Sequence, residues 1–583
     1  MKNEYFLVTT PLEETWPKKK CTTLFLGEWC RLYSRKSVWR KMKSEVVPFN
    51  WDNREKLFEE YQYSESLTDR IMTALTVELN NIHGVNHSKR YWRILIGPWL
   101  YMFLPSLQDR WKSVETALSN YSISETVALE IDDGKLVPQS MHDFCLIINS
   151  DIWNHKVYLL ILDHFNHSKI TRVSTSTDYV KNILKPFAAK LNCWDHIKLF
   201  IEKISSLFPL NYRFVIVTPY LSMIDKIKLY FKLKQIPVSY FYKKPKGYQV
   251  NEKYREWSLT EFPCENKFEK FVVEMVQRYL PRVYLEGYKD MLGEVDKSSL
   301  PNRTNLIWTS NSYFMDDRFK LWAAGLVDKG VPLVIGQHGG HYGQGKFSSP
   351  ESHEMKISDI YLSWGWVNEY DKVKPVGIFK GVVKRKNNSK KNMLLLMSGL
   401  SRYCNAYISF PVSSQWLYNF EELKKFYSNL DDEVESNTIV RLYPHDFGWS
   451  YRERWLDSFP NSTIGSSKTS YRKLLRNSSL TVSNWNSTTY LESMASNIPT
   501  VIFWTPEFFE LREDAVDLFD DLKKVGIFHD NPLSASKHIN KIWHDIDAWW
   551  DSIDVVTVRK SFVKKYANSL DVIDSLSAIF KNI

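Results

Sequence analysis

Short apolar runs recur along the chain, most of them ended by a turn-forming or hydroxyl residue. The first series comprises EYFLVTT (4–10), DFCLIIN (143–149), YRFVIVTP (212–219), TNLIWTS (304–310), PLVIGQ (332–337) and DIYLSWG (359–365). Such runs are expected of strands buried on both faces, as in parallel sheets. Helical spacing fills most of the gaps, and residues from about 52 to 120 read as helices with aromatic stripes. A lysine-rich, turn-prone stretch, KRKNNSKKN (384–392), is the best linker candidate. A second series follows it: MLLLMSG (393–399), TIVRLYP (438–444), SLTVSNW (479–485) and PTVIFW (499–504), then a helical tail from about 533 to 583. No repeat of solenoid period is present. Alternating strands and helices predict an α/β fold of parallel units. The expected architecture is two facing Rossmann-like domains, 1–383 with extra N-terminal helices and 392–540, followed by C-terminal helices (541–583) that cross back to the first domain. Folds of this kind bind ligands beyond the carboxyl ends of their strands.

Composition narrows the class. At 583 residues the chain exceeds one ordinary core. Hydrophobic residues at 44% and charged residues at 25% are usual for a soluble protein. Aromatics at 15%, with 22 Trp, favour large cores and stacking surfaces. A net charge of +10 is too modest for a dedicated nucleic-acid binder; it suits a basic cleft for a phosphorylated substrate or a basic face against an anionic membrane. The six cysteines show no CxxC or Cys/His ligand spacing, so neither a disulfide framework nor a zinc site is expected. MKNEYFLVTTPLEE lacks the pattern of a signal peptide. YWRILIGPWLYMFLPSL (91–107) holds Arg93 and two prolines, so a buried helix pair is expected rather than a span. The reading is a reduced, cytoplasmic protein whose membrane contact is at most peripheral, at the inner face.

The sharpest chemical signal lies in the second half. Between SLTVSNW and the helical TTYLESMAS stands Asn486-Ser487-Thr488. A helix start offers free N–H groups and positive dipole potential, and hydroxyls add donors, so Ser487, Thr488 and Thr489 form a phosphate seat needing no metal. The competing reading is a plain helix cap. Arg441 and His445, at the end of TIVRLYPHD, could meet the same phosphate. Glu492, inside the helix, could accept from ribose hydroxyls or merely face solvent. In the first half GQHGGHYGQG (336–345) lets backbone approach a ligand, with His338 and His341 available for acid/base work. It is not a P-loop, and a structural tight loop is the alternative. Glu28, in FLGEWC, could be a buried acid with a raised pKa, or a helix-start glutamate. The lone DxD, Asp545 and Asp547, falls in the helical tail, and no G-x-S-x-G elbow is present.

RLYPHDFG (441–448) followed by NWNSTTYLESMASNIPTVIFW (484–504) resembles the histidine and Ser/Thr-helix motifs of bacterial GT-B glycosyltransferases. The likeness is greatest to the capsule and O-antigen enzymes that take Kdo or related ulosonic acids from CMP-sugars. TTPLEETWPKKKCTTLFLGEWCRLY (9–33), YWRILIGPWL (91–100), FKLWAAGLVDKGVPLVIGQHGGHYG (319–343) and LSWGW (362–366) resemble a transferase family encoded in bacterial O-antigen loci. The resemblance implies a GT-B enzyme that moves a Kdo-like or sialic-acid-like sugar from a CMP donor to a glycan or lipid-linked glycan acceptor, with no cofactor, metal or nucleic acid. Residues 1–383 would be the acceptor side and 392–540 the donor side. Arg441, His445, Ser487, Thr488, Thr489 and Glu492 would bind the donor, with Gln337 and Gly339 of the glycine loop. His338 or Glu28 would handle the acceptor proton. Losing His445 is expected to cost on the order of a hundredfold in turnover. One departure stands: MSGLSRYCNAY (397–407) has no carboxylate where a retaining enzyme's nucleophile is expected. A UDP- or GDP-sugar donor, a CDP-polyol donor, and a non-catalytic scaffold of the same fold are the alternatives.

Overall fold

The computed structural model describes residues 4–175, 212–259, 262–386 and 391–583. Its strands form three sheets, and every pairing between them is parallel. The first sheet holds β1 (Glu4–Val8), β2 (Thr23–Phe25), β3 (Ser44–Val46), β4 (Ser122–Glu130) and β5 (Ile170–Ser174), in the order β3-β2-β1-β4-β5. The second holds β6 (Phe214–Val217), β7 (Leu306–Thr309), β8 (Leu333–Gly336), β9 (Ile360–Ser363) and β10 (Val373–Pro375), laid side by side in chain order. The third holds β11 (Met393–Leu396), β12 (Thr438–Arg441), β13 (Thr463–Ile464), β14 (Leu480–Ser483), β15 (Thr500–Phe503) and β16 (Phe528–His529), in the order β13-β12-β11-β14-β15-β16. That is the doubly wound order, with its reversal between β11 and β14, where such sheets open a crevice for ligands.

The chain is therefore α/β, but residues 1–383 carry two sheets where one Rossmann-like domain was expected. A shared helix joins them. Lys89–Asn120 packs on Asp151–His164 from the first sheet's side and on Asp317–Val327 and Ser349–Ile357 from the second's. Tyr91 to Trp111 is buried at every position, so apolar side chains have cover all round. Burying each such side chain contributes about 1.5–3 kcal/mol, which offsets the ladder bonds lost at Pro98 and Pro105. One continuous helix forms in place of the expected pair, and among the described residues no helix is long and apolar enough to cross a membrane.

DFCLIIN also departs from expectation. It forms the helix Met141–Ile147, because Ser140 caps it (Oγ accepts from the Asp143 N–H at 3.2 Å) and Met141, Phe144 and Ile148 are buried at helical spacing. The middle of the expected linker, 387–390, lies outside the described residues. Cys193 does too; the other five cysteines are free thiols.

At the C-terminus, Ile553–Tyr566 packs on helices of the third sheet, whereas Val572–Lys581 packs on Met223–Lys232 beside the second. Between them Asn568 is built into the second sheet's loops. Its N–H donates to the Trp364 carbonyl (2.9 Å) and its carbonyl accepts from Ile378 N–H (2.6 Å). Gly365, at φ +136°, lies under the Lys564 and Lys565 carbonyls, where a Cβ would stand 2.5 Å from one of the oxygens. Phe580 ends the return against Phe214 and Trp308. Asp545 caps a short helix through the Ala548 N–H (3.1 Å) and Asp547 pairs with Arg385 (2.6 Å), so the DxD carboxylates are engaged in structure.

Candidate functional site: a cleft at the strand reversal

A cavity of 540 Å³ opens where β11 and β14 end. One wall is third-sheet chain: Met397 to Gly399, Arg441 to Pro444, Tyr471, Trp485 to Thr489 and Glu492. The other wall comes from the second sheet, through Gly340 to Tyr342, Ser348, Pro350 and Lys380. Five expected site residues meet here: Arg441, Ser487, Thr488, Thr489 and Glu492.

The helix Thr488–Ala495 starts at this cavity without a cap. Ser487 holds the N-cap position with extended backbone (φ −141°, ψ −174°), yet its side chain makes no capping hydrogen bond. Its Oγ lies 3.3 Å from Thr489 Oγ1 instead. First-turn N–H groups left this way are a ready anion seat. Asn486 is 1% exposed; its Oδ1 accepts from Tyr490 Oη (3.1 Å), while its buried Nδ2 has no partner. A buried donor left unsatisfied is costly. Arg441 donates to the Thr469 carbonyl at 2.9 Å and lies over the Tyr471 ring, and burial lowers its pKa from the ordinary arginine value. Tyr471 in turn donates to the Thr489 carbonyl (2.8 Å), tying Arg441 to the helix start.

The glycine–histidine loop closes the opposite side. Gly340 N–H donates to Thr488 Oγ1 at 2.8 Å. A Cβ on Gly340 would sit 2.4–2.6 Å from backbone atoms of Ser487 and Thr488, so only glycine permits this approach. His341 has left-handed backbone (φ +76°) and is 4% exposed, with its ring edge-on to Phe410. Burial pushes its pKa down to about 3. His338, outside the cavity lining and with its side chain 27% exposed, lies between Tyr220 and Tyr342, its Nδ1 3.6 Å from Glu354 Oε1. Burial, with Lys380 nearby, lowers it to about 4. Glu354 is fully buried and accepts from Tyr313, Tyr342 (2.8 Å) and Tyr361 (3.1 Å); burial raises it to about 8 despite those donors.

Other expected residues have different tasks. Gln337 accepts from Trp364 N–H and Trp366 Nε1, both at 2.8 Å, and donates to the Gly339 carbonyl, so its amide is spent on holding the loop. Gly339 lies against Thr488 Oγ1 without lining the cavity. His445 is exposed, outside the cavity lining, its ring edge-on to Phe447. Glu28 is the helix-start glutamate of the two readings, opening the short helix Glu28–Cys30: its carboxylate is 30% exposed, is gripped by Arg31 and does not line the cavity, so the proton-handling role has no support there. Glu492 faces the cavity but pairs with Lys380 at 3.2 Å, a cross-wall contact. Among the described residues, no carboxylate from another segment stands in for the one missing at 397–407 in the cavity lining apart from Glu492; Asp151, which accepts from Arg402 (2.8 and 3.1 Å) and Tyr403 (2.7 Å), does not line it. Among the described residues no cluster of three His, Cys, Asp or Glu is arranged to hold a metal.

The sequence reading missed Lys380, Tyr471 and Glu354. Lys380 follows β10 in irregular chain, and nothing local marks it. Tyr471 had a signal, the Ser470 cap (Oγ accepts from Lys473 N–H at 3.3 Å) that starts a helix beside the cleft.

Fold and cleft define an α/β protein with a crevice at a strand reversal. Residues 5–578 match the family described as LIC12162 family transferase, and the chain belongs to that family. No curated protein matches it. Among solved structures it is similar to Acinetobacter baumannii MurG (9% identity, 64% of this chain and 100% of that one, TM-score 0.33). It is also similar to Anabaena Alr3699/HepE in complex with UDP (9%, 64% and 100%, 0.34) and to the spinosyn rhamnosyltransferase SpnG (12%, 51% and 77%, 0.30). Likenesses this distant carry no argument about substrate or mechanism.

Proposed function

We propose that this transferase is a glycosyltransferase of GT-B type that takes its sugar from a nucleotide-activated donor in the cleft between the second and third sheets. The observation that carries the reading is the uncapped start of Thr488–Ala495, facing a cavity beside Arg441. A departing nucleotide leaves negative charge on its phosphate. First-turn amides, the Ser487 and Thr489 hydroxyls and the Arg441 guanidinium stand fixed where that charge grows, so they lower the barrier without reorganising. Lys380 and Glu492 tie the two walls together. His338 is assigned the acceptor proton on the sequence resemblance, its ring standing outside the cavity lining. It is neutral at pH 7, as a base must be, and a bound anion beside it raises its basicity toward the useful range.

For the donor, a CMP-linked ulosonic acid is the reading, and its support is the resemblance of RLYPHDFG and the NST helix to enzymes using such donors. Arg441 and Lys380 would divide the phosphate and the sugar carboxylate between them. The acceptor would be a glycan or lipid-linked glycan of a bacterial surface polysaccharide. Calorimetry with CMP, UDP, GDP and CDP tests this: CMP binding that is lost in Arg441→Ala is expected. Preference for UDP or GDP overturns the CMP donor, and no binding of any nucleotide at millimolar concentration replaces the enzyme with a scaffold.

A further inference from the structure

Helix Met223–Lys232 is amphipathic in the wrong sense for a soluble protein. Ser222 caps it, and Leu229 (1% exposed) and Tyr230 (8%) face inward, where the helix meets Val572–Lys581. Outward stand Met223 (71% exposed), Ile224 (66%), Ile227 (63%) and Phe231 (82%). With 3.6 residues to a turn these four share one arc of roughly 100°. Val382 (50% exposed) extends the face, lining the same groove as Ile224. Contiguous exposed apolar surface marks an interaction site.

Charge identifies the occupant. Ser222–Lys234 carries four lysines, Lys226, Lys228, Lys232 and Lys234, against Asp225 alone, and Lys384, Arg385 and Lys386 follow Val382. Three of these cations have acidic neighbours, Lys228 with the partly buried Asp225 (4.0 Å), and Lys232 and Arg385 with the exposed Asp574 (2.5 Å) and Asp547 (2.6 Å), pairs too weak to outcompete many headgroup anions. Long lysine stems can reach from an apolar stripe to phosphates. We propose that this face docks on an anionic lipid bilayer, with Met223, Ile224, Ile227 and Phe231 seated at the headgroup–acyl boundary and the lysines on lipid phosphates. The helix lies on the membrane; it does not span it. The glycosyltransferase reading supplies only the purpose. Tyr220, just ahead of the helix, stacks on His338 (centroids 6.3 Å apart) beneath Lys380, so a docked bilayer would border the cleft mouth where a lipid-linked acceptor enters.

The test is co-sedimentation of the full chain, without nucleotide, with phosphatidylglycerol-containing or pure phosphatidylcholine vesicles. Binding to the anionic vesicles is expected to exceed that to neutral ones by about tenfold or more and to fall with salt. The double variant Ile227→Glu, Phe231→Glu should lose it while keeping its melting temperature, because both side chains face solvent; Phe231→Ser serves as a milder second variant. Equal binding to both vesicle types, no binding to either, or undiminished binding by both variants overturns the proposal. So does a wild-type dimer in light scattering that the double variant turns into a monomer, since a second copy would then be the occupant. Nucleotide calorimetry on the same preparation reports on the enzymatic reading separately.

Discussion

Two histidine-bearing turns follow strand ends at this cleft, GQHGGHYGQG after β8 and RLYPHDFG at the end of β12, and they differ in what stands behind them. In the first, glycines let backbone touch backbone across the cleft, and desolvation holds the buried His341 and the partly buried His338 neutral. In the second, Asp446 Oδ1 accepts from Gly448 N–H (2.7 Å) and Ser450 N–H (3.2 Å), a local turn that leaves His445 exposed. Residue type and position at a strand end are alike. What separates them is whether the chain around the imidazole can approach the opposite wall closely enough to desolvate it.

Breaking that approach should have the largest effect. Gly340→Ala places a methyl against Ser487 and Thr488 backbone, forcing loop and helix apart. Overpacking of this kind costs about 1–3 kcal/mol of stability. The displaced site should lose about a hundredfold or more in turnover. Thermal unfolding and a donor-turnover assay check both.

The second turn is tested by a pair. Arg441→Ala should weaken nucleotide binding about tenfold to a hundredfold, the scale of a hydrogen bond to a charged group. His445→Ala should change it by less than about threefold, since that side chain does not line the cavity. This revises the hundredfold loss expected from sequence; equal losses in the two variants would restore His445 to the phosphate.

Glu354, behind the first turn, gives a pH test. Its folded pKa of about 8 exceeds the unfolded value, so between about pH 4.5 and 8 the folded state holds more protons. Wild-type stability should therefore fall as pH rises through that window, relative to Glu354→Gln, by more than about 1.4 kcal/mol, the equivalent of one pKa unit. The groups facing this carboxyl are Tyr313, Tyr342, Tyr361, Tyr101, Glu351 and His338. His338 and His341 oppose the trend only on the acid side, where stability falls as pH drops below about 6.5. Denaturant melts across pH separate the two limbs.

Smallest is Ser487→Ala. No capping bond is lost, so stability should hold, while nucleotide affinity should drop about two- to tenfold, the worth of one neutral hydrogen bond. A loss of stability without a loss of affinity would return Ser487 to an ordinary cap.

Much of this was legible in the sequence because parallel strands are apolar throughout: β6 to β9, β11, β12, β14 and β15 are continuous runs. β4, the longest strand, was not, since SISETVALE mixes exposed Glu125 and Glu130 with buried Ile123 and Ala128. DFCLIIN misled because an apolar run is ambiguous until its cap is weighed. At the site, Arg441 and the 487–489 hydroxyls were readable from strand-to-helix order. Lys380 and Glu354 were not, because each gains its meaning from partners far along the chain, Glu492 for one and three tyrosines for the other.

The returning C-terminus has a mechanical corollary. The third-sheet lobe is fastened to its neighbour where the chain enters after β10, where Asn568 is stitched between Trp364 and Ile378, and across the cleft itself through Gly340–Thr488, Gln344–Arg512 and Glu351–Arg512. Fastenings spread over several sides of the cleft leave no single line about which one wall turns freely against the other. A chain cut after Ala567 would lose the Asn568 stitch and the Phe580 contacts yet keep the bonds across the cleft.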